Sequence, residues 1–364
     1  MPWNVITISP SVNRNPDMYS LFRPLFFKLD PETAHNLTLK LIRIGAYQPF
    51  NSLLNAIYST PGKPVNLFGL HFPNPVGLAA GYDKDGVAWR GLAALGFGHI
   101  EIGTVTPHPQ PGNPKPRVFR LVEDRAVINR MGFPGLGAEH VAGRLPCGPG
   151  SASERRLKHR RVILGVNLGK NKETPIENAA GDYIALMRHF IPMADYLAIN
   201  VSSPNTVGLR RLQGRDMLEG LLDTISKERN NNSVARGGNI PILVKLAPDL
   251  SDEELDDALV AIVRTGMDGV IATNTTLGRE GLRSKLREET GGLSGAPLRH
   301  RSEEVLRSVV RKLDGRLPVV SVGGIMTPED AQARLDAGAA LVQVYTGLVY
   351  SGPGLVKLIV HKLK

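Results

Sequence analysis

Residues 241–276 read PILVKLAPDLSDEELDDALVAIVRTGMDGVIATNTT, and their order decides the fold. An apolar, β-branched run at 242–247 comes first. Ser251-Asp252-Glu253-Glu254 follows with the spacing of a capping box, in which serine and glutamate each satisfy a free N–H at a helix start. A second β-branched run, at 270–274, begins after that helix. Strand, helix and strand in so short a span read as a crossover unit with parallel strands.

Working outward, the same alternation recurs. Further runs lie at 75–80, 99–105, 162–168, 196–201, 318–322 and 341–345, and Thr327-Pro328-Glu329-Asp330 is another helix start, with proline at its first position. Eight such runs predict an α/β fold, a closed (β/α)8 TIM barrel. Ahead of it, 65–68 and 71–72 flank Gly69-Leu70 as a β-hairpin expected to plug the barrel bottom.

Earlier still, Phe22, Leu25, Phe26 and Leu29 recur at helical spacing, with Pro24 expected near the start of their helix, where a missing N–H is tolerated. Asp30-Pro31-Glu32 opens a second helix whose stripe is Ala34, Leu37, Leu41 and Ile44, and Gly45 ends it. The Pro/Gly-rich stretch 60–64 divides an N-terminal helical extension, 1–60, from the barrel, 61–364.

Composition excludes several classes. An apolar fraction of 42% with 21% charged residues rules out wholesale disorder. A lone cysteine, Cys147, forms no internal disulfide and cannot build a thiolate metal site or iron–sulfur cluster, so no metal is expected. The start, MPWNVITISPSVNRNPDM, lacks the pattern of a secretory signal, and no stretch reaches the ~18 apolar residues of a membrane span. The net charge of +10 favours anionic partners without choosing one. The run 155–161 (RRLKHRR) has no interleaved aromatics and reads as a solvated face, so nucleic acid is not expected as a partner.

A barrel demands that chemistry sit just past the C-terminal ends of its strands. Those ends carry Ala80-Gly81-Tyr82-Asp83-Lys84, Thr104, Asn167, Asn200 with Ser203-Pro204-Asn205-Thr206, Lys245, Thr273-Asn274-Thr275, Gly323-Gly324 and Tyr345-Thr346. Gly323-Gly324 and Tyr345-Thr346-Gly347 occupy the usual phosphate corner, and Gly291–Gly295 offers a further N–H cradle. The amides of Asn167, Asn200, Asn205 and Asn274 suit a flat ligand with imide or carboxylate edges. Pro204 pushes Ser203 to an extended backbone, which fixes its hydroxyl. Asn129-Arg130-Met131-Gly132-Phe133 lies in a long loop where a lid is expected, with Arg130 placed to clamp a carboxylate. Lys245 is open to three readings: pairing with an acid, holding charge on a ring, or forming a Schiff base in a barrel lyase. A non-enzymatic anion-binding protein is the remaining alternative. Zinc-protease and hydrolase-elbow motifs are absent.

Taken together, AAGYDKDG, IEIGTVTP with PQPGNPKPR, NRMGF, LGVNLGKNK, INVSSPNT, VKLAPDLS, IATNTT, TGGLSG and VGGI resemble the dihydroorotate dehydrogenases, from about residue 18 to the C-terminus. Ser203 stands where one branch has a cysteine base, so the chain resembles class 2, the quinone-reducing, membrane-associated branch. The resemblance implies oxidation of (S)-dihydroorotate to orotate in pyrimidine synthesis, with FMN as cofactor and a membrane quinone as co-substrate. It assigns FMN to Ala80, Gly81, Tyr82, Asp83, Lys84, Thr104, Asn167, Asn200, Lys245, Thr273, Gly295, Gly324, Tyr345 and Thr346. It assigns the substrate to Lys84, Asn129, Arg130, Met131, Gly132, Phe133, Asn200, Asn205, Asn274 and Thr275. Ser203 is the implied base with Thr206 as its proton relay, and Lys245 the group that stabilises charge on the reduced flavin. Tyr82 and Pro134-Gly135 depart from the family pattern. The N-terminal helices imply a peripheral protein, expected at the cytoplasmic face of a bacterial inner membrane and as a monomer.

Overall fold

The computed structural model describes residues 18–146, 162–206, 208–236 and 238–363. Cys147 and the basic run 155–161 lie outside the described residues. A hairpin of β1 (Val65–Leu67) and β2 (Leu70–Phe72) leads into β3 (Val76–Leu78) and β4 (His99–Val105). Next come β5 (Val118–Leu121), β6 (Ala126–Asn129), β7 (Ile163–Leu168), β8 (Tyr196–Asn200), β9 (Ile242–Leu246) and β10 (Gly269–Ala272). The last are β11 (Gly292–Gly295), β12 (Val319–Val322) and β13 (Leu341–Val344). β3, β4, β7, β8, β9, β10, β12 and β13 close into a barrel in that order, each pair parallel. Seven of the eight runs read from the sequence contain one of these strands, and β10 begins one residue before the run at 270–274.

The two-residue period of a strand sorts the side chains. In β9, Ile242, Val244 and Leu246 pack outward among the helices, while Leu243 belongs to the interior cluster and Lys245 shares its face. His99 and Glu101 of β4, Asn167 of β7, Tyr196 and Asn200 of β8 and Gln343 of β13 share that interior. Glycine makes room for the rings: a Cβ on Gly77 would lie 2.0 Å from the His99 imidazole, and one on Gly165 2.1 Å from the Tyr196 ring. The hairpin closes the bottom as expected, its fully buried Phe72 sharing one apolar cluster with Ile163, Tyr196, Leu243, Ile271 and Leu341.

The capping boxes form at Ser251/Glu254 and at Thr327/Asp330. Helix α2 (Pro31–Ile44) also starts as read, with Asp30 accepting from the Thr33 N–H. Helix α1 (Met18–Lys28) corrects one expectation: Pro24 lies inside it rather than near its start, and Leu29 falls beyond its end. Contacts to the barrel hold that helix despite the missing N–H. The Tyr19 hydroxyl donates to the Val349 carbonyl at 2.6 Å, and the Arg23 guanidinium to the Tyr350 carbonyl at 3.0 Å. A third helix, α3 (Phe50–Tyr58), was not read from the sequence, nor was the antiparallel sheet β5-β6-β11 that stands over the barrel mouth.

Candidate active site

One cavity of about 460 Å³ opens from the C-terminal ends of the barrel strands and runs to α1 and α2. Ala80, Gly81, Tyr82, Lys84, Thr104, Asn200, Ser203, Lys245, Thr273, Asn274 and Thr275 line its barrel end. Gly295, Gly324, Tyr345 and Thr346 form one corner, and Asn129, Met131, Gly132, Phe133 and Asn205 come from the overlying loops. Phe26, His35, Thr38, Leu41 and Ile42 line the helical end.

Four expected residues lie apart from this lining. The Asp83 carboxylate accepts from the Val87 and Ala88 N–H groups, each at 2.8 Å, and caps a turn. Asn167 stands one layer beneath, and buried Thr206 is likewise not in the wall. Arg130 turns away: its guanidinium pairs with Glu289 at 2.6 Å and stacks over Phe119, so the structure does not place it as a carboxylate clamp. Alternation along the extended chain accounts for this, because Asn129 and Met131 face the cavity on either side of it.

The polar groups at the mouth form two hydrogen-bonded sets, one around Asn200 and one around Asn205. The Thr104 hydroxyl donates to Asn167 Oδ1 at 2.5 Å, and the Asn200 amide donates to Thr104 Oγ1 at 2.9 Å. The Asn274 amide donates to Ser202 Oγ at 2.9 Å, and the Asn205 amide to Asn129 Oδ1 at 3.2 Å. Ser203 is 5% exposed, and its hydroxyl oxygen accepts from the Asn205 N–H at 3.2 Å. These bonds fix each side chain in place before a ligand arrives.

Beneath them sits a group that sequence reasoning missed. The buried Glu101 carboxylate accepts from Asn167 (2.8 Å), Gln343 (2.8 Å) and Tyr196 (3.1 Å), and lies 4.0 Å from Lys245 Nζ. Its signal was an acid inside the apolar run IEIGTV. Burial lowers the Lys245 pKa and the Glu101 charge opposes that shift. Lys84 donates to the Gly81 carbonyl at 2.8 Å, and burial pushes its pKa down to about 8. Tyr82 packs edge-on between His35 and Tyr345, which joins the barrel mouth to the helical end.

The donor set fits a phosphorylated planar cofactor. Gly324 and Gly295 have left-handed φ values of 71° and 99°, and at both a Cβ would collide with backbone, at 2.3 Å and 2.4 Å. The Gly324 N–H finds no backbone acceptor among the described residues. The Ser294 and Thr346 hydroxyls share a hydrogen bond of 2.8 Å at the same corner. Amides and a buried ammonium supply the donors and acceptors that a ring with imide edges requires.

Fold and site thus define a barrel enzyme built around an anionic, flat cofactor. A family model described as Dihydroorotate dehydrogenase matches residues 64–364. A dihydroorotate dehydrogenase (quinone) of Azotobacter vinelandii is 49% identical over 341 residues, covering 93% of this chain and 95% of the relative. One from Pseudomonas putida is 48% identical, covering 93% and 97%. The crystal structure of DHODH from Eimeria tenella in complex with ferulenol superposes with a TM-score of 0.82 at 40% identity, covering 93% of each chain. The chain belongs to the dihydroorotate dehydrogenase family.

Proposed function

We propose that this protein oxidises (S)-dihydroorotate to orotate with FMN as its cofactor and a membrane quinone as electron acceptor, in pyrimidine synthesis. The observation that carries this is a continuous cavity with Ser203 and Lys245 at one end and α1 and α2 at the other. When bound, FMN supplies the acceptor for a hydride from the substrate and a route for electrons onward to quinone.

Ser203 takes the C5 proton. A free hydroxyl is far too weak an acid to act as a base alone, so the proton must leave as it arrives, and Thr206 with a water serves as the relay. Lys84 holds the substrate carboxylate by charge, while Asn129, Asn200, Asn205, Asn274 and Thr275 read its polar edges. Lys245 stabilises negative charge on the reduced ring, with the Glu101 carboxylate 4.0 Å away favouring the charged ammonium against burial. A Schiff-base role for Lys245 would leave the four amides and Ser203 without work.

Residues 1–60 form the quinone-access unit and 61–364 the FMN-binding barrel. No helix of the described residues is long and apolar enough to cross a membrane. Leu21, Phe22, Leu25, Leu37, Leu41 and Ile44 are exposed on α1 and α2, a face suited to lying on lipid. A monomer resting on the cytoplasmic face of a bacterial inner membrane accounts for that surface.

The test is spectroscopic. Purified protein should be yellow, dihydroorotate should bleach it anaerobically with release of orotate, and a quinone should restore the colour. A colourless protein that fails to take up added FMN would end this reading.

A further inference from the structure

Arg334 is fully buried, and nothing in the family reading uses it. One of its nitrogens, Nη2, donates to the Arg299 carbonyl at 2.7 Å, to Ser302 Oγ at 2.9 Å and to the Gly323 carbonyl at 3.1 Å. Nε and Nη1 have no partner among the described residues. The neighbouring carboxylates are engaged elsewhere. Asp330 serves Arg299 and the Met326 and Thr327 N–H groups, and Glu303 pairs with Arg307 at 2.8 Å. A buried cation without its own counter-charge is costly unless a ligand completes it.

The Gly323 carbonyl and the Gly324 N–H belong to one planar peptide unit. In the trans form the two point in opposite directions. The carbonyl is held from behind by Arg334 and lies 2.8 Å from the Ser302 hydroxyl, so the N–H turns toward the cavity that Gly324 lines. A charge-assisted bond on the carbonyl also polarises the peptide, which makes that N–H a stronger donor.

We propose that Arg334 is a positioning residue for the cofactor's phosphate, aiming the Gly324 N–H at it and supplying buried positive charge behind it. The inference rests on the reading of this corner as the phosphate site of FMN. It concerns the phosphate alone, so riboflavin, which shares the ring and lacks the phosphate, is the matched control.

The experiment incubates purified holoenzyme with a series of riboflavin concentrations and measures the ratio of FMN to riboflavin bound at equilibrium. A general loss of stability affects both flavins alike and cancels in that ratio. In Arg334→Met the preference for FMN should fall about tenfold or more, the scale of one lost hydrogen bond from a charged group. Arg334→Lys, which keeps the charge, should stay near wild type. An unchanged preference in the Met variant, or an equal fall in the Lys variant, would overturn the proposal. Should the Met variant hold no flavin, Ser302→Ala decides: a severalfold fall in preference supports the proposal and an unchanged one overturns it. A wild-type protein that does not prefer FMN would instead remove the phosphate reading itself.

Discussion

Burial lowers the pKa of Lys84, and the proposed function makes that lysine set the pH range of catalysis. Its pKa is pushed down to about 8, chiefly by desolvation, against the opposing pull of Asp85 and Glu32. The cation to which the proposed function gives the substrate carboxylate is present below that pH and lost as pH rises through it. In the free enzyme kcat/KM for dihydroorotate should therefore fall along a limb near pH 8. Lys84→Arg keeps the charge and should move that limb beyond about pH 10. A limb that stays put would belong to another group. Lys245 was legible in the sequence as a cation closing an apolar strand, and Lys84 through the family resemblance. Glu101 and Arg334 were not, since the partners that give them meaning come from β7, β8 and β13, or from the helix Arg299–Leu313 and the turn at Gly323. The orientation of Arg130 was not legible for a simpler reason: its neighbours set the strand phase, and one residue's shift in that phase turns a side chain out of the cavity.

At the level of elements, α1 and α2 carry apolar residues that the barrel leaves uncovered. Leu21 and Leu25 are each 65% exposed, whereas Phe26 turns to the cavity. The helical spacing picked out Phe22 and Leu25 of this face but not Leu21, and it grouped them with cavity-facing Phe26. Placing a leucine side chain in lipid is worth about 1.5–3 kcal/mol. Replacing Leu21 and Leu25 together with glutamate should weaken binding to phospholipid vesicles at least about a hundredfold. Flavin reduction by dihydroorotate should be untouched, because neither residue lines the cavity. Vesicle binding at the wild-type level would remove these helices as the lipid contact. The β5-β6-β11 sheet shows the opposite limit of sequence reading. β11 is Gly-Leu-Ser-Gly, without β-branched residues, and pairs with β6 across a long stretch of chain, so its strand character comes from tertiary pairing alone.

For the whole molecule, the barrel's alternating strands were readable because every crossover unit repeats the same physical problem, while the joining of barrel mouth and helices was not, since it depends on how distant segments pack. His35, Tyr82 and Tyr345 bridge the two ends of one cavity through edge-on ring contacts of 4.9 Å and 5.5 Å. On the proposed function, electrons enter beside Ser203 and leave toward α1 and α2, so the two half-reactions share a cofactor and little else. Anaerobic stopped-flow absorbance of the flavin in Ser203→Ala tests this most directly. Bleaching by dihydroorotate should slow by roughly 10²–10⁴, the usual worth of a positioned proton acceptor, while reoxidation of the reduced protein by quinone keeps its wild-type rate. Unchanged bleaching, or equal slowing of both steps, would contradict the account.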